Sequence, residues 1–243
     1  MKNVFTLACT MAISALWAQE TRKLPAFDRV TVSPHINLVL THGPAEDIRI
    51  VGENIDERKI NAQVMDGALR LFLDEARIWP PQTRYQENGN RWKQSLYQDA
   101  EVTAYVTYRE LNRLEIRGAQ NVSVDSIPVS SKLKITLYGE ATLSIGHVDT
   151  DKLKLSSFGE NTVRILSGRA NHQVYRMFGE NKIDALGVES RTAFTRFYGE
   201  GKLRLRATEE VRLNSFGEPR LVLDGNPLIH RGIVVGETDV TRH

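Results

Sequence analysis

"SSFGENTVRI", residues 156–165, contains the triplet Phe158-Gly159-Glu160, and the triplet returns along the chain. Its other copies are Tyr138-Gly139-Glu140, Phe178-Gly179-Glu180, Tyr198-Gly199-Glu200 and Phe216-Gly217-Glu218. The first four glycines are evenly spaced and the fifth comes slightly early; Gly118 and Gly236 continue the series on either side. A period near 20 kept over that length is the mark of a solenoid.

Leucine-rich repeats and β-helices both fit the period. Apolar residues decide between them. Before each glutamate they alternate, as in Leu133, Ile135 and Leu137, or Val211 and Leu213. After it they alternate again, as in Leu143 and Ile145, Val163 and Ile165, Leu203 and Leu205, Leu221 and Leu223. Both stretches have period two, which is strand behaviour, and neither has the spacing of a helical face. Each repeat therefore reads as two short strands joined at the glycine, and stacked rungs of this kind make an all-β parallel β-helix. The corner needs an unusual backbone conformation, with φ > 0, that glycine adopts without strain. Asn161 and Asn181 follow the corner in two copies and are read as residues that tolerate the left-handed region. Gly201 and Pro219 hold that place in two others.

Upstream, "FDRVTVSPHINLVLTHG", "DIRIVGE" and "ALRLFLD" alternate as strands and are expected to be opening rungs of the same solenoid. Residues 74–100 differ. They carry Pro80-Pro81, Trp79, Trp92, Tyr85 and Tyr97, and they lack strand alternation. They read as a long excursion loop. Loops of this kind are often functional. Trp79, Tyr85, Arg91, Trp92 and Tyr97 are thus candidates for sugar or peptide binding, with capping of the solenoid as the structural alternative. The expected organisation is a signal segment (1–18), a short amino-terminal stretch (19–26) and one β-helix domain (27–243).

The signal segment has the layout of a secretory leader: Lys2, then the apolar run "VFTLACTMAISALWA", then Ala18 at a plausible cleavage point. Cys9, the single cysteine, lies within it. After cleavage no thiol would remain for disulfides, catalysis or metal binding. The expected location is periplasmic, outer-membrane-associated or extracellular. No later stretch is apolar enough for a membrane helix. The whole chain is 41% hydrophobic and 26% charged, with a formal charge of +2. That balance suits a packed globular protein, and it does not call for nucleic acid or an anionic membrane. The basic residues read as part of a mixed, solvated surface.

Three stretches together, "FDRVTVSPHINLVLTHG" (27–43), "VMDGALRLFL" (64–73) and "AYVTYRELNRLEIRGAQNV" (104–122), followed by glycine-cornered repeats, resemble the head GIN domain family. Members are labelled auto-transporter adhesins and are common in exported proteins of Bacteroidetes-type bacteria. The resemblance spans roughly residues 27–240. It implies a right-handed parallel β-helix with no assigned enzyme activity. The family's corners usually carry small residues, as Gly118-Ala119 does, so it does not account for a column of aromatics and carboxylates.

The repeat offers little chemistry. A polysaccharide lyase or hydrolase needs carboxylates with distinct roles, or a base beside calcium and an arginine. Glu140, Glu160, Glu180, Glu200 and Glu218 are equivalent members of a ladder. The histidines show no metal spacing, and no nucleophile, phosphate or dinucleotide motif occurs. No catalytic residue is assigned. The aromatic column (Tyr138, Phe158, Phe178, Tyr198, Phe216) either receives a partner or packs on itself. Lys182, Lys202, Arg220, Arg176 and Arg196 are expected to salt-bridge the later glutamates. Glu140 and Glu160 lack such neighbours and are the candidates for calcium, the one cofactor considered. The functional expectation is a non-catalytic, adhesin-like module for surface glycan or protein. A polysaccharide-active enzyme and a purely structural envelope component are the alternatives. An end-on or edge-to-edge homo-oligomer is open to a solenoid whose ends are not capped.

Overall fold

The structure, a computed structural model, describes residues 21–77, 82–87, 90–95, 97 and 99–242. It is a β-solenoid. Nineteen strands form one continuous hydrogen-bonded sheet, and no α-helix occurs among the described residues. Each rung has two long faces. Strands that end at the corner glycine make the glycine face: Arg113–Gly118, the later parts of Asn121–Gly139, Thr142–Gly159 and Thr162–Phe178, then Thr192–Tyr198 and Glu210–Phe216. The early parts of the three long strands, then Lys182–Ala185, Lys202–Arg206 and Arg220–Asp224, make the opposite face. All of these pair in parallel with the equivalent residues of the next rung.

Period-two alternation sends one set of side chains inward on both faces. Leu114, Ile135 and Leu155 stack in one file, and Val122, Leu143, Val163, Ile183, Leu203 and Leu221 in another. All are buried and belong to one continuous apolar core. The irregular intervals have local causes. An extra residue sits between Ile127 and Ser130, where the register shifts and Val129 is extruded into solvent; this lengthens the step from Gly118 to Gly139. The short step, from Gly199 to Gly217, falls where Arg206 is followed closely by Glu210, and a linking strand such as Val188–Glu189 has no counterpart there.

The corner glycines behave as the spacing requires. Gly118, Gly139, Gly159, Gly179, Gly199, Gly217 and Gly236 all have positive φ, from 94 to 127°. Asn161 and Asn181 do not, which corrects the reading of them as left-handed residues. Both are fully buried instead. Asn161 Oδ1 accepts from Ala141 N of the preceding rung (2.9 Å), and Asn181 Oδ1 accepts from Asn161 N (3.2 Å). Their amides donate to Phe158 O and Phe178 O, so each side chain closes its own corner and ties it to its neighbour.

The amino-terminal third departs from the expected simple rungs. Arg29–Val32 and Ile36–His42 make a rung, but it lies between Ala68–Leu73 with Glu101–Tyr108 on one side and Arg113–Gly118 with Asn121–Gly139 on the other. Asp47–Glu53 and Ile60–Met65 then pair antiparallel on the outer edge of that first rung. They are a cap, not rungs: reversing direction stops the parallel stack and covers an otherwise open edge. At the other end no strand covers Leu228–Val235 among the described residues, and Leu228, Ile233 and Val235 are exposed. Gln82–Glu87 and Asn90–Ser95 pair antiparallel in a sheet of their own, although their sequence shows no strand alternation.

Candidate binding face

The triplet aromatics are in register on successive rungs, so parallel pairing places ring above ring. Centroids are 5.0, 4.7, 4.6 and 5.2 Å apart from Tyr138 to Phe216, and the planes lie within 2–11° of parallel. Each inner ring therefore has both faces covered by its neighbours. Only edges meet solvent, and the two end rings, Tyr138 and Phe216, are the most exposed. The column is first of all packing. Phe178→Ala removes two stacked contacts, and a loss of about 1–3 kcal/mol is expected from aromatic pair energies. A fall in melting temperature of several degrees checks it.

Next to the column on the glycine face runs a basic stripe. Arg29, Arg113, Lys134 and Lys154 occupy one register position on four successive rungs. Lys132 and Lys152 flank it two positions earlier, and Arg176 and Arg196 continue it two positions later on the following rungs. Among the described residues no carboxylate lies within ion-pair distance of Arg113, Lys132, Lys134, Lys152, Lys154 or Arg176. Their mutual field is felt: the Lys154 ammonium is held below the usual lysine range, first by Lys132, then by partial desolvation and by Lys152, Arg176 and Lys134. On the opposite face Arg204 pairs with Asp184 at 2.7 Å and Arg206 with Asp224 at 2.6 Å, while Lys182 and Lys202 near the corner make no ion pair among the described residues.

The stripe begins in a groove of about 410 Å³ at the capped end. Arg29, Arg70, Arg77, Arg113 and Arg117 line it, with Glu115 as the one carboxylate among the described residues. Glu115 is already engaged by Arg117 at 2.6 Å. Arg77 lies over the Phe72 ring at 4.2 Å, and its carbonyl accepts from Ser33 Oγ, so the start of the excursion forms one wall.

Beyond the aromatic column, across the corner, the five triplet glutamates form an exposed line. None makes an ion pair among the described residues, so the expected salt-bridged ladder is not present. The reason is strand geometry. Residues four apart on a strand are separated by about 13 Å, so Arg176 and Arg196 cannot reach Glu180 and Glu200 as they would on a helix. Arg220 turns to Asp239 instead, at 3.0 Å. Glu140 and Glu160, the candidate calcium ligands, stand on adjacent corners, and no third carboxylate or histidine converges with them among the described residues.

Of the excursion candidates, Trp79 lies outside the described residues. Tyr85 and Trp92 are directly opposite on the hairpin, and Arg91 opposes Gln86. Tyr97 is buried in the core: its hydroxyl donates to Asp74 O at 2.9 Å, and burial, aided by Asp74 and Glu75, raises its pKa. The basic stripe is the feature sequence reading missed. Its signal was available, since Lys132 and Lys134 recur one period later as Lys152 and Lys154.

The family described as "Putative auto-transporter adhesin, head GIN domain" matches residues 26–227. The chain belongs to the head GIN domain family. Solved structures agree on the fold. A protein of Bacteroides fragilis described as a "putative adhesin" is 19% identical with a TM-score of 0.75, covering 92% of this chain and 95% of its own. A protein of Parabacteroides merdae with the same description is 15% identical with a TM-score of 0.63 over the same shares. A protein of Parabacteroides distasonis described as lipid-binding is 13% identical with a TM-score of 0.65, covering 92% of this chain and 96% of its own. No curated protein matches the chain. As a GIN-domain protein it has no helix, among the described residues, that is long and apolar enough to cross a membrane.

Proposed function

We propose that this GIN-domain chain is an exported, non-catalytic, adhesin-like module that docks surface glycan or protein on its glycine face. The observation that carries the reading is the crowding of cations on the glycine face. Arg113, Lys132, Lys134, Lys152, Lys154 and Arg176 stand there beside an aromatic column, with no carboxylate within ion-pair distance among the described residues. A surface that leaves like charges crowded together is destabilised in isolation and relieved by a complementary partner. Family membership and the adhesin descriptions of the B. fragilis and P. merdae structures support a binding role. The amino-terminal signal segment, with its charged start and apolar run, supports export.

The mature protein is tested on a glycan array and against immobilised cell-surface protein, beside an assay for reducing-end release. Binding without release is the expected result. Release of reducing ends would replace the reading with a polysaccharide-active enzyme, and silence in all three assays would replace it with a structural envelope component.

A further inference from the structure

We propose that the glycine face binds a linear acidic polysaccharide, one that carries a carboxylate on each sugar, lying along the solenoid axis from the arginine groove to Arg176. This rests on the binding role proposed above and names its ligand class. Three observations carry it.

The first is charge placement. Among the described residues the groove presents Arg70, Arg77 and Arg113 without an ion pair, beside Arg117, held by Glu115, and Arg29, held by Asp28. Lys134 and Lys154 then extend the same register position rung by rung. Successive rungs are about 4.8 Å apart, close to the length of one sugar in an extended chain. A cation therefore recurs at the interval at which such a polymer presents its carboxylates. Arginine in the groove suits bidentate capture of a carboxylate, and lysine along the stripe suits a looser point-charge contact.

The second is the aromatic column. Single-stranded nucleic acid binds where ring faces are free to stack on bases. Here the inner ring faces are covered by one another, at 4.6–5.2 Å, so the column offers a wall and not a stacking platform. Between the stripe and the column the partly exposed Ser156 offers a hydroxyl suited to a sugar hydrogen bond and not to insertion into a lipid surface, while Thr136 one rung earlier is covered by its neighbours.

The third is the glutamate line. Glu140, Glu160, Glu180, Glu200 and Glu218 stand just beyond the column, exposed and without ion-pair partners among the described residues. A polyanion that strayed across the corner would meet five like charges. The acidic line thus confines the ligand to the basic side and sets its direction along the axis.

The test uses the mature protein and sodium polygalacturonate, with the fully methyl-esterified polymer as the same backbone without charge. Duplex DNA and phosphatidylglycerol vesicles are the competing polyanions. Two variants carry equal charge changes: Lys134→Glu with Lys154→Glu on the glycine face, and Lys182→Glu with Lys202→Glu on the opposite face. Wild type is expected to bind polygalacturonate in a salt-dependent way and to ignore the ester. Reversal at 134 and 154 should weaken binding about tenfold or more through lost counterion release, while reversal at 182 and 202 changes it less than about twofold. Equal loss in both variants, equal binding of the ester, or tighter binding of DNA or vesicles overturns the inference. Capture of a neutral glycan or a surface protein, with polygalacturonate ignored, overturns it while leaving the adhesin-like reading intact. Absence of binding to every glycan and surface protein overturns both.

Discussion

Gly159→Val is expected to be among the most damaging single substitutions in the chain. Two independent penalties meet there. The φ of Gly159 is +109°, which a β-branched residue adopts only under strain. A Cβ at that position would also stand 2.2 Å from Gly139 O, a backbone atom of the rung below. A flexible side chain can swing aside, but the carbonyl cannot move without displacing the corner, and Gly139 O accepts Glu160 N at 2.9 Å. Backbone strain of this kind costs about 1–3 kcal/mol. With the clash added, a loss of about 4 kcal/mol is expected, in the range reserved for special backbone sites. For a chain of this size that is a fall of about 10 °C in melting temperature. Gly146 stands outside the triplet register, yet its Cβ would lie 2.3 Å from Asp125 O, so it is no neutral reference. Gly52 is a milder one: its φ is not positive, and a Cβ there meets at 3.0 Å only the side chains of Ile55 and Ile60, which can shift where a backbone carbonyl cannot. Thermal unfolding of Gly159→Val beside Gly52→Ala checks the expectation. Equal melting temperatures would mean that the corner is not a special backbone site.

Asn181→Ala is the second large expected effect. Asn181 Oδ1 accepts from Asn161 N at 3.2 Å and from Ser157 Oγ at 2.5 Å, and its amide donates to Phe178 O at 2.9 Å. The donors are shielded from water, with Asn161, Asn181 and Ser157 all fully buried, while Phe178 O is only partly so. Truncation leaves the buried donors unsatisfied, at about 1–3 kcal/mol for each group that finds no water. A loss of about 3 kcal/mol is expected after partial relaxation. Asn161→Ala should cost less, because Ala141 shows that a rung tolerates alanine here when its own N–H is served by the next asparagine. The double mutant should be non-additive, since the two amides share a network. Urea unfolding of both single mutants and the double mutant checks this; strict additivity would show that the two asparagines act alone.

The repeat was legible because its cause is local. Period-two alternation and a glycine once in every repeat are written along the chain, and together they admit a two-stranded rung with a positive-φ corner and little else. The stacked aromatics followed from the same register. The asparagines were visible as residues but not as a ladder. Their part is played through hydrogen bonds to the neighbouring rung, and a composition rule about left-handed turns described them by the wrong property. The salt-bridged glutamates failed for a related reason: sequence proximity suggested partners that strand geometry holds too far apart. The pairing of Gln82–Glu87 with Asn90–Ser95 escaped because these strands carry no apolar alternation; they add nothing to the main sheet to impose one.

By itself, then, the sequence determined the solenoid, its corner and its inner columns, since each depends on residues within one rung and on repetition. Tertiary structure alone decided the order of the first rungs, with Arg29–Val32 and Ile36–His42 inserted between strands that follow them in the chain. It alone decided which end is capped. It also turned scattered cations into a stripe. Arg29 stands far from Arg113 in the chain, and Arg113 a full repeat from Lys134, yet parallel pairing sets the three on neighbouring rungs about 4.8 Å apart. Charge acts through space and is blind to chain order, so a basic surface assembled by stacking cannot be read from the average composition of the chain that forms it.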